Sequence, residues 1–185
     1  GGWLFTKLLE KLFKKADRRG LQNKWRIAQV FTGAGVAIMH GAQDGQKFLS
    51  ISMLGIMLAM GSMDTSNVTF PLWLIILCAL AMGLGTAIGG KKIIKSVGMD
   101  MVKMEPYQGF SASTTTFSCL VLATFTGLPV STTHTATTAI MGVGASRRIR
   151  AVRWSMAGNM VLTWVLTFPG CGLIGFVLAK LFLLF

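Results

Sequence analysis

The chain has 185 residues, of which 52% are hydrophobic and only 13% are charged, and its mean hydropathy is +0.62. An ordinary soluble domain carries about 25% charged residues, so this composition argues against a water-soluble protein and indicates an integral membrane protein. The net charge of +12 is common in nucleic-acid-binding proteins. Here, however, Lys and Arg fall in blocks between apolar segments, which argues against that class and indicates membrane topology instead.

The first segment, residues 1–26, is basic. Within it, "LFTKLLEKLFKKADRR" (4–19) places Leu and Phe at helical spacing against Lys and Arg, which favours a short amphipathic helix on an anionic cytoplasmic membrane face. A solvated basic linker explains the same pattern. The segment lacks the apolar core of a signal peptide, and the Gly1-Gly2 start without Met favours a piece of a longer polypeptide.

The rest of the chain, residues 27–185, is predicted to be an all-α transmembrane domain. Its first apolar stretch, 27–61, would be roughly 52 Å long as one helix, against a hydrocarbon core of about 30 Å. This excess length predicts a discontinuous helix, broken at Gly41–Gly45. An ordinary membrane span follows over 71–90.

A second interrupted apolar stretch covers 109–145 and breaks at "GLPVSTTH". Basic blocks flank it on both sides, so it is predicted to begin and end in the cytoplasm. It therefore either crosses the membrane twice or forms a re-entrant hairpin that turns near 127–129. The same rule places the N-terminal segment in the cytoplasm and the polar loop 62–70 outside. The last apolar run, 154–185, is a further span with a possible kink at Pro169.

The motif "HGAQDGQKF" (40–48) places ionisable groups inside the first apolar stretch, where they are costly. Asp44 and Lys47 are spaced to pair on one helical face. An ionisable residue at membrane depth is typical of a functional site, although a neutral ion pair that only fixes helix packing remains the alternative. Neighbouring residues offer an unwound turn and neutral polar groups for an anion: Gly41, Gly45, Gln43 and Gln46.

Hydroxyl residues follow Pro129 at the second break, namely Ser131, Thr132 and Thr133. This order is typical of a helix start whose hydroxyls and N–H groups face an oxyanion. Alone, such a run is more often a hydrogen-bonding patch between helices. Irregular backbone at membrane depth must be buried in protein or line a polar cavity, and two such breaks together predict a transporter binding site.

Five motifs carry a resemblance to a known family within residues 36–154: "HGAQDGQKFLSISMLGIML", "GTAIGGKKIIKSVG", "EPYQGFSAS", "GLPVSTTHTATTAIMGVGASRR" and "AVRW". By these motifs the chain resembles the C-terminal half of the inorganic phosphate transporter (PiT) family. The resemblance implies one half of an inverted-repeat transporter, with discontinuous helices and a re-entrant hairpin. It also implies cotransport of phosphate with Na⁺ or H⁺ as the coupling ion, no other cofactor, and no enzyme activity.

The resemblance and charge balance together assign roles to individual residues. Phosphate is expected to bind Gln43, Asp44, Ser131, Thr132 and Thr133. The coupling cation is expected to bind first at Asp44, with Gln46 and unwound backbone carbonyls completing its shell. Three side chains are accessory candidates: His40, Lys47 and His134. Three positions depart from the family pattern and bear on coupling more than on substrate class: Gln43, Gly45 and Ser113.

A site completed by two halves needs a partner besides the lipid bilayer, either a missing N-terminal repeat or a second copy of the chain. The expected location is a plasma membrane of bacterial type. A non-transporting scaffold or regulatory half-transporter subunit is the main alternative function. An intramembrane hydrolase is poorly supported, because the sequence contains neither HExxH nor GxSxG. The cysteines, without CxxC spacing, are predicted to be small buried residues: Cys78, Cys119 and Cys171.

Overall fold

The computed structural model describes residues 1–14, 18–61 and 69–183. Every regular element in these ranges is helical, which confirms the all-α fold class. The helices are α1 (Gly2–Leu12), α2 (Arg18–Ala59), α3 (Leu72–Ile93), α4 (Pro106–Thr126), α5 (Thr132–Arg147) and α6 (Trp154–Phe182). A π-helical segment, Ile94–Asp100, continues α3, and a 3-10 turn, Ile149–Ala151, precedes α6. Most of the predicted outer loop, 62–68, lies outside the described residues.

Helix α2 is one continuous helix of 42 residues, so the predicted break at Gly41–Gly45 is wrong. A glycine within a helix costs only about 1 kcal/mol relative to alanine, and no proline interrupts this segment. Nothing local therefore forces the backbone out of the helix. The helix is roughly 63 Å long and begins at Arg18, within the basic N-terminal segment, so the apolar stretch 27–61 was a poor guide to where it begins.

Helices α4 and α5 form a hairpin whose turn covers 127–131. Gly127 ends α4 with a φ of 70°, a left-handed conformation that glycine adopts without steric penalty. The backbone N–H groups of Gly127 and Leu128 donate to carbonyls in the last turn of α4, which is the usual way to satisfy a helix C-terminus. Ser131 then caps α5 by accepting a hydrogen bond from the His134 backbone N–H at 3.3 Å.

At the open end of the hairpin, Glu105, before α4, and Arg147, at the end of α5, form a solvent-exposed ion pair with Nη1 and Oε1 2.9 Å apart, and such pairs contribute little to stability. The loops on either side also meet, because the Arg153 N–H donates to the Met101 carbonyl at 3.2 Å. A small buried core lies at this end of the molecule, formed by Met101, Val102 and Val152. The open end of the hairpin therefore lies against an apolar core, whereas its turn is held by helix caps.

Helix α1 packs against both helices of the hairpin. Gly2 is buried so closely against the Ala139 carbonyl that a Cβ there would overlap the oxygen. Thr6 is fully buried, and its hydroxyl lies 2.7 Å from that of Ser111. The other side of α1 exposes large apolar side chains, including Trp3 and Leu4. An amphipathic helix thus forms here, but its buried side contacts protein.

The accessible surface is 13330 Å², whereas a compact soluble monomer of 19.9 kDa exposes roughly 8,700 Å². Many of the exposed large apolar side chains lie on α3 and α6. Within the described residues, two helical stretches are long and apolar enough to cross a membrane, Leu72–Lys91 and Trp154–Phe182, with mean hydropathies of 2.2 and 2.0. Helix α6 continues through Pro169 and has only Ala157 buried among its described residues. These helices have the surface of elements that face lipid or further protein.

The three cysteines lie on three different helices, Cys78 on α3, Cys119 on α4 and Cys171 on α6. Cys119 and Cys171 are exposed, so the prediction that they are buried is wrong, and Cys78 is half-buried. All three are free thiols. Cys119 lies on the outward side of α4, whose other side packs against α1, α2 and α5, whereas most of α6 around Cys171 is uncovered in the described chain.

We predict that Gly144→Ala destabilises the fold. An added Cβ would lie 2.9 Å from a methyl group of Val102 and 2.9 Å from one of Val152. Overpacking of this kind costs about 1–3 kcal/mol, which exceeds the gain of about 1 kcal/mol from replacing a helical glycine by alanine. The melting temperature in detergent is therefore expected to fall. Gly158→Ala is the matched control, because no described atom lies within 4 Å of its added Cβ; equal stability of the two variants would contradict the prediction.

Candidate functional site

The Asp44 carboxylate lies where α2 meets the turn of the hairpin. The Lys47 Nζ is 3.0 Å from Oδ1. The His40 Nε2 is 3.5 Å from Oδ2, and the Thr132 hydroxyl donates to the same oxygen over 3.4 Å. We refer to these four residues, His40, Asp44, Lys47 and Thr132, as the Asp44 site. Asp44 and Lys47 do pair on one helical face, as their spacing predicts.

The continuity of α2 creates this arrangement. His40, Asp44 and Lys47 are spaced by four and three residues, so an unbroken helix stacks them along one side. The same continuity corrects the expected cation shell. The backbone carbonyls around Gly41–Gly45 belong to a regular helix, and the Gln46 carbonyl also accepts the Ser50 hydroxyl at 2.7 Å. An unwound turn is therefore not part of the site.

Gln43 faces α4 and is almost fully buried, with 3% of its surface exposed. Its side-chain amide donates to the Thr124 hydroxyl at 3.0 Å, and that hydroxyl donates in turn to the Leu120 carbonyl. Thr124 was missed by the sequence analysis. The sequence signal that could have found Thr124 is its position one turn before Gly127, which places its hydroxyl near the turn between α4 and α5. A phosphate ion that binds Gln43 would have to displace Thr124 as the acceptor of the Gln43 amide hydrogen bond.

Lys47 connects α2 to the hairpin turn. Its Nζ donates to the Val130 carbonyl at 2.6 Å while also contacting Asp44. A main-chain acceptor carries no side-chain signal, which explains why sequence reasoning missed Val130. The ammonium therefore pairs with the Asp44 carboxylate and also supplies a hydrogen-bond donor to a carbonyl in the irregular backbone of the turn.

The three hydroxyl residues at the start of α5 have different surroundings. Thr132 is buried, with 5% of its surface exposed, and faces Asp44. Ser131 is used as the helix cap, and Thr133 is exposed. His134 is also exposed, and its ring lies against Trp164 of α6 with centroids 3.9 Å apart. The structure therefore brings Thr132 to Asp44, and it places the His134 ring against α6.

The site combines groups that suit both signs of charge. The Asp44 carboxylate suits a cation, whereas Lys47, the Thr132 hydroxyl and the free N–H groups of the first turn of α5 suit an anion. The Asp44 and Lys47 side chains remain 24% and 33% exposed, so the described chain leaves part of the site uncovered. No cluster of three or more His, Cys, Asp or Glu side chains that could hold a metal ion occurs in the described ranges.

Comparison with known proteins extends over most of the chain. Residues 5–175 match the sequence profile of the phosphate transporter family. A probable low-affinity inorganic phosphate transporter of Bacillus subtilis (strain 168) is 40% identical over 168 residues, which cover 91% of this chain and 50% of that protein. A protein of the same description from Rhizobium meliloti (strain 1021) is 39% identical over 171 residues, with coverage of 92% and 51%.

A solved structure described as the sodium-dependent phosphate transporter has the same fold, with a TM-score of 0.72 and 27% sequence identity. The similarity covers 88% of this chain and 41% of that one. The chain spans about half the length of the curated relatives that it matches.

These matches include all four residues of the Asp44 site, and the relatives are described as transporters, not as enzymes. They confirm the resemblance drawn from the motifs, and they agree with the two long apolar helices in identifying a membrane protein. The chain belongs to the phosphate transporter family.

Proposed function

We propose that the chain forms one half of a secondary transporter that moves inorganic phosphate across a membrane together with Na⁺ or H⁺. The observation that carries the proposal is the placement of the Asp44 carboxylate beside the first turn of α5, where Thr132 contacts it. One face of α2 and one helix start thereby supply a cation-binding group and an anion-binding group at the same place.

Charge balance supports coupling to a cation. Phosphate carries about one to two negative charges at neutral pH, as a phosphate group on a protein does. Asp44 adds another negative charge, and bringing both into a poorly hydrated site is unfavourable unless positive charge accompanies them. Phosphate is therefore expected to dock after a cation, on the Thr132 hydroxyl and the amides of the first turn of α5, with Gln43, Ser131 and Thr133 as further candidates.

The nature of the cation is part of the proposal. The solved relative is described as sodium-dependent, which favours Na⁺ over H⁺. Asp44 is the proposed ligand. The expected contribution of the Gln46 side chain is not supported, because two residues along a regular helix place Gln46 on nearly the opposite side of α2, where it is exposed. The departures at Gln43 and Gly45 bear on the strength of coupling, because these residues adjoin Asp44 on α2 and leave the anion-binding helix start in place. Ser113 lies on α4 eleven residues before Thr124, the partner of Gln43, which is roughly 16 Å along the helix, so its departure lies outside the Asp44 site.

A second half is proposed to complete the site. Part of the Asp44 site is uncovered, and α3 and α6 expose long apolar faces. Either another repeat of the natural polypeptide or a second copy of this chain would cover these surfaces. The basic N-terminal segment is proposed to lie on the cytoplasmic side of a plasma membrane.

A non-transporting scaffold or regulatory subunit is the competing function. It would keep the packing of α2 against the hairpin but would not need the carboxylate of Asp44 as an ion ligand. The two functions therefore predict different effects of conservative substitutions at Asp44 and Thr132 on phosphate uptake.

We expect Asp44→Asn to abolish cation-coupled phosphate uptake while leaving membrane insertion intact, because the amide keeps the shape but removes the charge that binds the cation. The measurement is uptake of radiolabelled phosphate into liposomes that contain the full-length natural protein, with and without an inward Na⁺ gradient. A parallel proton gradient distinguishes the two coupling ions.

Asp100→Asn is the matched control for this experiment. Asp100 ends the π-helical segment and belongs to no predicted site, so its variant should transport normally. Normal cation-dependent uptake by Asp44→Asn would refute the transporter role of Asp44 and favour the scaffold.

We expect Thr132→Val to weaken phosphate binding by about 1.5–3 kcal/mol, the usual value for a hydrogen bond to a charged group. Valine keeps the shape of threonine and removes only the hydroxyl. The measurement is the phosphate concentration that gives half-maximal uptake. Thr138→Val is the control on the same helix, because that hydroxyl is exposed and bonds to the carbonyls of its own helix. An unchanged phosphate affinity with lowered stability would identify Thr132 as a packing residue.

A further inference from the structure

Lys47 is the cation already present at Asp44. Its ammonium lies 3.0 Å from Oδ1 of Asp44 and donates to the Val130 carbonyl of the hairpin turn at 2.6 Å. We propose that Lys47 is a positioning residue that competes with Na⁺ for Asp44, so that Na⁺ binding releases both the carboxylate and the hairpin turn from Lys47. This inference rests on the proposed function, and it adds a specific link between the cation and the turn.

Competition follows from the geometry of the carboxylate. The Oδ2 oxygen has His40 and Thr132 as neighbours, at 3.5 and 3.4 Å, whereas Oδ1 is held by Lys47. A Na⁺ ion and an ammonium group on the same oxygen would repel each other strongly in a poorly hydrated site. Na⁺ is therefore expected to bind Asp44 well only when Lys47 has moved away.

Lys47 has room to move. Its side chain is 33% exposed, and a lysine ammonium is a compact charge on a flexible four-carbon stem. In the displaced position the ammonium can be hydrated, or it can pair with an incoming anion. The protein therefore does not have to bury an unpaired positive charge when Na⁺ takes its place.

Release of Lys47 has a mechanical consequence because of Val130. The Val130 carbonyl lies in the irregular backbone between the two helices, and Lys47 links it to α2. Neighbouring residues of the turn are exposed, including Leu128 at 59%. Once the link is lost, the turn is held mainly by the caps of α4 and α5. Since Thr132 lies directly after this turn, Na⁺ binding would free the helix start proposed to receive phosphate.

The alternative is a static clamp, in which Lys47 neutralises Asp44 permanently and only fixes helix packing. The two roles differ in a measurable way. Competition predicts that removal of the ammonium strengthens Na⁺ binding, whereas a static clamp predicts lower stability with no effect on Na⁺ affinity.

The first test is a Na⁺ titration of the melting temperature of the full-length natural protein in detergent, with choline chloride keeping the ionic strength constant. A ligand that binds only the folded state stabilises it by RT ln(1 + [L]/Kd), so a fit of the melting temperature against Na⁺ concentration gives the Kd, the concentration at which half of the sites are occupied, here called the Na⁺ midpoint. For Lys47→Met we expect a Na⁺ midpoint roughly tenfold lower than for the wild type, equivalent to about 1.4 kcal/mol. Lys47→Arg keeps the charge and should stay near the wild-type value.

Lys103→Met is the matched control, because it removes an exposed lysine outside the Asp44 site. It should leave the Na⁺ midpoint unchanged. An unchanged or higher midpoint for Lys47→Met would overturn the proposal, and so would the absence of any Na⁺ effect on the wild type.

The second test reports on the turn itself and does not require Lys47→Met to be stable. Val130→Cys is introduced after Cys78, Cys119 and Cys171 have been replaced by serine, and its reaction rate with a small hydrophilic thiol reagent is measured. With Lys47 present, Na⁺ should increase the rate several-fold over choline. With Lys47→Met, the rate should already be high without Na⁺. A rate that is insensitive to Na⁺ in the presence of Lys47 would overturn the link between the cation and the turn.

Neither test uses phosphate, so the outcome is separate from that of the proposed function. Loss of the transporter role would appear as a wild type without cation-dependent phosphate uptake. Failure of the present inference would appear in the Na⁺ midpoint and in the labelling rate, even if uptake were normal.

Discussion

The charge of Asp44 is the constraint on which the arrangement of the helices depends. A carboxylate within an apolar segment must have a partner, and Lys47 supplies it from the next turn of the same helix. Pairing at this spacing requires an unbroken α2, which in turn aligns His40 with the same carboxylate. Because Lys47 also binds the Val130 carbonyl, the ion pair fixes the turn of the α4–α5 hairpin against α2. Neutralisation of one charge thus determines where two segments distant in sequence meet.

The parts of this arrangement that sequence could predict are those encoded by local chemistry. Asp44 and Lys47 pair because their spacing is helical, and the chain turns at Gly127 because glycine and the following proline favour it. The prediction of a break at Gly41–Gly45 was wrong, because glycine permits an unwound turn without requiring one. The roles of Thr124 and Val130 could not be predicted from the sequence, for a different reason. Their roles depend on which helices pack together and, for Val130, on a backbone atom.

The uncovered surfaces show how the chain can hold such a site without enclosing it. Only part of α3 and α6 is covered by described residues, and the exposed side chains there are large and apolar. In a bilayer such surfaces carry no hydrophobic penalty towards lipid, so close packing is needed only where polar groups must be satisfied. In this chain, polar groups are satisfied where α2, α4 and α5 pack together. This distribution explains why the polar residues concentrate in the hairpin and in one stretch of α2.

The two ends of the hairpin differ in how firmly they are held, and the difference bears on function. At the open end, Met101, Val102 and Val152 form a buried apolar core that packs against Gly144 of α5, and the Glu105–Arg147 ion pair beside it is exposed and contributes little. At the turn, the contacts to α2 are polar, made by Lys47 to the Val130 carbonyl and by Thr132 to Asp44, and the turn residue Leu128 is exposed. Segments that move in binding come from the less stable parts of a fold. If Na⁺ replaces Lys47 as proposed, a hairpin anchored by its core at one end can change its turn at the other without losing its packing.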